Sequence, residues 1–150
     1  MGYAHYYQMA RSFSDCEWKQ ICKAVRHALN CLPEKTESDE LLILGDGLGE
    51  KGTRPKILDD VGNASHIEFN GIGDLGHETF WLSKSIEGDG LGACKTAGKP
   101  YDLAVCVALL IAADIAPDAI SFTSDGDWDT DWKDARWYAE FFKNGGNVII

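Results

Sequence analysis

Pro100-Tyr101-Asp102-Leu103-Ala104-Val105-Cys106-Val107-Ala108-Leu109-Leu110-Ile111-Ala112-Ala113-Asp114-Ile115 is the stretch on which the fold turns. Proline is tolerated at a helix start, where its missing N–H would have no partner anyway. From Tyr101 to Ile115 the residues are apolar nearly all the way round, so a helix here has no face suited to water. It predicts a central, buried helix, ended by Pro117. Its longest apolar run, Leu103 to Ala113, has 11 residues. A bilayer span needs about 20, so this helix is covered by protein rather than lipid.

The segments outside that helix must therefore cover it. Downstream, Ala119 to Thr123 reads as a strand, and Trp132 to Lys143 as an amphipathic helix carrying Trp137, Phe141 and Phe142. Asn144-Gly145-Gly146 would stop that helix, and Val148 to Ile150 reads as a last short strand. Upstream, Tyr3, His5 and Tyr7 alternate with Ala4 and Tyr6, the period of a strand. Ser14 and Glu17 have capping-box spacing. Trp18, Ile21, Cys22, Val25, Ala28, Leu29 and Leu32 then follow at helical spacing up to Pro33. Leu41 to Leu44 reads as a buried strand, Gly45 to Lys56 as a glycine-rich loop, and Ile57-Leu58 as the start of a short strand. Residues 66–82 read as a hairpin, with His66, Glu68 and Asn70 alternating against Ile67 and Phe69. Gly88, Gly90 and Gly92 mark a flexible loop. The order β-α-β-β-β-α-β-α predicts a single α+β domain, a mixed β-sheet with about three helices.

The chain has 150 residues, 45% of them hydrophobic, and a formal charge of −10. That length buries roughly 70% of its unfolded surface, enough for one core. The acidity argues against duplex nucleic acid and against an anionic membrane surface, which both reward basic patches. Met1 to Arg11 contains no basic region followed by an apolar run, so no signal peptide is read there. The five cysteines form no C-x-x-C pair, which predicts reduced thiols in a cytoplasm and no zinc ribbon.

Several patterns approach a known chemistry and miss it. Gly47, Gly49 and Gly52 match G-x-G-x-x-G, but Pro55 opposes the helix that a dinucleotide pyrophosphate needs. Gly92 to Lys99 has five residues between Gly92 and Gly98 where a P-loop has four, and Pro100 stands in place of Ser or Thr. Asp125, Asp127, Asp129 and Asp131 alternate as in a calcium loop, but Thr130 and Arg136 occupy the required Gly and Glu positions. Either a looser cation site or a solvated acidic turn fits them. His5, His27, His66 and His77 have no metal-ligand spacing, so no metal and no cofactor is expected. A Cys94 nucleophile with a histidine base stays open.

Charge is not spread evenly. Residues 1–33 carry +2, while residues 34–99 and 100–150 carry −6 each. From Gly90 to Tyr101 there is no acid, and Lys95 and Lys99 contribute +2. This island enters the N-terminus of the buried helix, where free N–H groups and the dipole favour an anion. Lys95, Thr96 and Lys99 thus form a candidate phosphate cradle, with Tyr101 beside it. The alternative is that both lysines pair with carboxylates and Asp102 caps the helix. Tyr3 and Tyr7, on one strand face with His5, are candidates for stacking a base, or for core packing.

Cys94-Lys95-Thr96, Lys99-Pro100-Tyr101-Asp102 and Ser124-Asp125-Gly126-Asp127-Trp128 resemble the motifs of a family of small, uncharacterised phage and bacterial proteins. Gly2-Tyr3-Ala4-His5-Tyr6 and Ile67-Glu68-Phe69-Asn70-Gly71 are similar to that family too. The resemblance implies a phage-borne protein in the host cytoplasm, of the kind that counters host defence by sequestering a nucleotide immune signal.

The leading expectation is a small-molecule binding protein for a phosphate-containing ligand, such as a nucleotide second messenger. Lys95, Thr96 and Lys99 would hold phosphate. Tyr3, His5, Tyr7 and Asn70 would recognise the sugar or base, Asp125 and Asp127 would accept hydrogen bonds, and Tyr101 is a further ligand-binding candidate. The second expectation is a hydrolase for such a ligand, with His5 or His77 as acid or base and Glu78 or the Asp125/Asp127 pair holding a metal or water. The third is an acidic inhibitor of a protein. A homo-oligomer is left open.

Overall fold

Ser14 and Glu17 start the first helix by satisfying each other's backbone. Ser14 Oγ accepts the Glu17 N–H at 3.1 Å, and Glu17 Oε1 accepts the Ser14 N–H at 2.8 Å. Arg11 grips the same carboxylate with both guanidinium nitrogens, at 2.8 and 3.0 Å. The helix α1 (Asp15–Cys31) buries Trp18, Ile21, Cys22, Val25 and Ala28 along one face. The computed structural model describes residues 3–36 and 38–143. The expected stop at Asn144-Gly145-Gly146 and the strand at Val148 to Ile150 lie outside them.

The apolar helix α2 (Asp102–Ile115) is enclosed as its composition demands, with Ala104 through Leu109, Ile111 and Ala112 all buried. It packs against α1, against α3 (Lys133–Lys143) and against strand β7 (Ile120–Ser124). The sheet beneath has the order β6-β1-β7, with β1 at Ala4–Met9 and β6 at Leu91–Lys95. Within β1, His5, Tyr7 and Met9 turn inward, while Tyr6 and Gln8 face solvent. A second sheet is built on β4 (His66–Gly71), flanked by β2 (Leu44–Gly45) and β3 (Lys56–Ile57), with β5 (Phe80–Ser83) as its hairpin partner. Ile67, Phe69, Phe80 and Leu82 of that hairpin are fully buried.

The α+β class and the three helices, one central, match the expectation. The sheet itself differs. Every strand pair is antiparallel, and the strands form two sheets rather than one mixed sheet. Strand β6 falls where the sequence suggested a flexible glycine loop. Its residues lack clean alternation because Gly92 lies opposite Tyr7, and a β-carbon there would overlap the Tyr7 ring. The expected buried strand at Leu41 to Leu44 is reduced to its last residue. Leu42 is buried, whereas Leu41 and Ile43 are each 46% exposed. The Leu42 N–H goes back to Glu34 O, so this segment pairs with its own linker.

The helix start yields two expected outcomes. Ser14→Ala removes one half of the capping box and lowers stability by about 1 kcal/mol in urea unfolding. Arg11, then the Ser14 N–H, holds the Glu17 carboxyl below its ordinary 4.5, at about 2. A depressed folded-state value stabilises above the unfolded value and loses its effect as pH falls through the folded one. The stability gap between the wild type and Glu17→Gln therefore shrinks from pH 4.5 to pH 2, as read by melts across that window.

Candidate functional site

The three strands of the first sheet end together against the first turn of α2. Backbone hydrogen bonds fix that junction. The Thr96 and Ala97 N–H groups both reach Tyr3 O at 3.1 Å, and the Asp125 N–H reaches Ala4 O at 3.0 Å. The Ala4 N–H is taken by Asp125 Oδ2, also at 3.0 Å. His5 is thereby held on the inner face of the central strand with no exposure at all.

A buried imidazole needs a partner at each nitrogen. His5 Nε2 lies 2.5 Å from Asp102 Oδ1, and His5 Nδ1 lies 2.7 Å from Ser124 Oγ. Thr96 donates its hydroxyl to the same Asp102 oxygen at 2.6 Å. Ser124 Oγ accepts the Gly126 N–H at 2.9 Å and the Trp132 indole N–H at 3.0 Å. Ser124 Oγ also hydrogen-bonds the Tyr3 hydroxyl, so it meets four partners with one proton and two lone pairs, and the ring tautomer of His5 follows from which partner that proton serves. Tyr3 and Trp132 stand edge-on to the imidazole, with centroids 5.3 and 5.2 Å away. Cys106, one turn after Asp102, brings Sγ to 3.5 Å from His5 Nε2 and 3.6 Å from Asp102 Oδ2. Burial, then the Asp102 charge, pushes this thiol well above its ordinary value.

Of the residues singled out in the sequence, Tyr3, His5, Lys95, Thr96, Lys99 and Asp125 meet at this junction. Their roles divide sharply. Thr96 is fully buried and committed to Asp102. Lys95 and Lys99 lie on the rim, and neither makes an ion pair among the described residues. The turn between them carries Ala97 and Gly98 at φ 54° and 68°, closed by the Lys99 N–H on Thr96 O. Ala97 is one of two non-glycine residues at positive φ among those described. Such a conformation costs about 1–2 kcal/mol and persists where the surroundings impose it.

The turn's N–H groups are used internally. Besides Thr96, Ala97 and Lys99, the Gly98 N–H reaches Thr96 Oγ1 at 3.4 Å and the Lys95 N–H reaches Glu78 Oε1 at 2.7 Å. Any anion recognition at this turn therefore falls to the lysine ammonium groups. Glu78 and His77 are exposed on the neighbouring loop. Asn70, 6% exposed, fixes that loop by donating to His77 O at 2.9 Å and accepting the His77 N–H at 3.0 Å. Tyr101 is buried with its hydroxyl on Glu78 O at 2.6 Å, and Tyr7 is buried with its hydroxyl on Trp81 O at 2.6 Å.

Cys94 stands opposite His5 across the β1–β6 pair, but its sulfur has other partners. Its Sγ faces Glu78 O and the Tyr101 hydroxyl, and burial pushes its pKa up to about 12. A raised pKa favours the neutral thiol, the form less suited to nucleophilic attack. The acidic corner is a set of turn caps. Asp127 Oδ1 accepts the Asp129 N–H, the Thr130 N–H and the Thr130 hydroxyl, each at 3.0 Å. These bonds hold its carboxyl below the usual range. Asp131 accepts the Asp127 N–H at 2.7 Å. No helix opens at Gly52, where the chain runs on into β3, so the glycine triplet there lacks the helix N-terminus of a dinucleotide site.

The Cys106–His5–Asp102 grouping escaped the sequence reading. Asp102 and Cys106 are four apart, which places them on one helix face, but His5 lies 97 residues before Asp102. Only the strand-to-helix packing joins them. Comparison with protein-family models, with curated proteins and with solved structures finds no match.

Ser124→Ala strips a partner from His5 Nδ1, the Gly126 N–H and the Trp132 indole at once. At about 1–3 kcal/mol for each buried group left unpaired, we expect at least about 3 kcal/mol of lost stability in urea unfolding. Thr96→Val, which leaves Asp102 short of one donor, has the smaller effect.

Proposed function

We propose that the protein captures a small phosphate-bearing ligand at the Lys95–Lys99 turn and holds it without turnover. The observation that carries this reading is the pair of ammonium groups without a carboxylate partner among the described residues, on a hydrogen-bonded turn, in a chain of net charge −10. Neighbouring cations in a negative field are suited to a compact anion and unsuited to a long polyanion. The Thr96–Asp102–His5 bonds beneath the turn reduce the ordering that binding would otherwise require. Tyr3, half-buried at the same edge, offers a ring to a sugar or base, and the exposed His77 lies next to Glu78, which contacts the Lys95 backbone. A nucleotide combines these features. The phage context implied by the motif resemblance makes sequestration of a nucleotide immune signal the corresponding biological role.

Calorimetric titration with inorganic phosphate, ADP-ribose and cyclic dinucleotides tests the proposal. A charge-assisted hydrogen bond contributes about 1.5–3 kcal/mol, so Lys95→Ala and Lys99→Ala should each weaken binding by about tenfold or more. Their melting temperatures should stay close to that of the wild type. Absence of heat with every phosphate ligand overturns the reading. Ligand recovered in fragments after denaturation replaces it with hydrolysis, for which His77 and Glu78 are the exposed groups at hand. A salt-sensitive protein complex retained in Lys95→Ala would replace it with the acidic-inhibitor reading.

A further inference from the structure

We propose that His5, Asp102 and Cys106 form a binding site for one divalent transition metal of the zinc class. The proposal is independent of the anion reading and stands whether or not Lys95 and Lys99 bind phosphate.

The geometry carries it. One ligand atom from each residue lies within 4.8 Å of the other two, close enough to share a coordination sphere. The sulfur is already 3.5 Å from His5 Nε2 and 3.6 Å from Asp102 Oδ2. Ligands about 2.0–2.3 Å from a tetrahedral metal stand roughly 3.3–3.7 Å apart, so both sulfur distances fit. Only the His5–Asp102 contact, at 2.5 Å, must open when a metal replaces the proton between them.

The donor set selects the metal. A thiolate, an imidazole and a carboxylate suit zinc and its neighbours, whereas magnesium and calcium prefer oxygen alone. Asp102 and Cys106 sit one helical turn apart on α2, and His5 is supplied by the central strand, so two rigid elements present the three ligands. The surroundings are also those of a metal centre. Thr96 hydrogen-bonds the Asp102 carboxylate, and Ser124 contacts the far nitrogen of His5, the positions from which outer groups orient metal ligands. Two of the ligands, His5 and Cys106, are shut off from solvent, while the Asp102 side chain is 18% exposed. That edge is where a metal would enter, and a water from solvent would complete four-coordination.

Protons balance on loading. The Cys106 thiol releases its proton to solvent and binds as thiolate. In the loaded site the ring proton of His5 sits on Nδ1, leaving Nε2 for the metal, and donates to Ser124 Oγ. The Ser124 hydroxyl turns its own proton to the Tyr3 oxygen, and either the Gly126 N–H or the Trp132 indole gives up its place on Oγ, which has two lone pairs. The bound set of Zn²⁺, thiolate, carboxylate and neutral imidazole has no net charge, as a buried site requires.

Cobalt(II) titration of the full chain, purified with chelator, is the test. The expected result is one equivalent of cobalt giving a thiolate-to-metal charge-transfer band in the near ultraviolet. The band should vanish in Cys106→Ser and persist in Cys94→Ser, with helix content unchanged in both. Should Cys106→Ser not fold, X-ray absorption of the zinc-loaded wild type decides the matter. One sulfur at about 2.3 Å with nitrogen and oxygen near 2.0 Å supports the site. No charge-transfer band from folded wild type, the same band in folded Cys106→Ser, or a zinc shell without sulfur overturns it.

Discussion

The buried imidazole of His5 is the constraint on which the site end of the molecule depends. A histidine with no exposure is destabilising unless both ring nitrogens are bonded. Its two partners come from different elements, Asp102 from the start of α2 and Ser124 from the end of β7. Satisfying one ring therefore fixes the position of a helix relative to two strands. Ser124 extends the bond to Trp132, just ahead of α3, and Thr96 extends it to the end of β6. An apolar side chain at position 5 would fill the space, but would leave Asp102 and Ser124 to find other partners and the junction free to adjust.

That network also shapes the rim above it. Thr96 points down to Asp102, so the lysines on either side of the turn are left pointing away from the core. The turn closes through residues at positive φ, Ala97 among them, a conformation sustained by the bonds around it. In a chain of net −10, six of the other cations form ion pairs among the described residues, Arg11 with Glu17 and Lys56 with Glu68 among them. Lys95 and Lys99 have no such partner among the described residues. A buried polar cluster and an exposed cationic turn are thus two sides of one junction.

The elements that could be read in advance are those whose residues report their surroundings locally. The capping box at Ser14 and Glu17, the all-apolar α2 and the alternation in His66 to Asn70 each encode one element through contacts a few residues long. Strand β6 could not be read in this way. Its Gly92 is small because the Tyr7 ring lies across it, and that ring is 85 residues away in sequence. The same holds for the candidate site residues. Thr96 and Tyr101 have the right chemistry for a ligand, but their hydroxyls face Asp102 and Glu78, a matter of orientation rather than composition. Asn70 has the composition of a binding residue and serves instead to hold the loop at His77.

By itself, the sequence determined that the chain forms an α+β fold around one buried helix, because fifteen consecutive residues from Tyr101 to Ile115 leave no polar face to present to water. It also determined that the twelve residues from Gly90 to Tyr101 carry two lysines and no acid. The tertiary structure alone decided that the strands pair in two antiparallel sheets, since register depends on contacts between distant segments. It alone brought His5 to Asp102, Cys106 and Ser124. Burial removes water as the alternative partner, and each of these polar groups must then be satisfied by whichever neighbour the packing brings within reach.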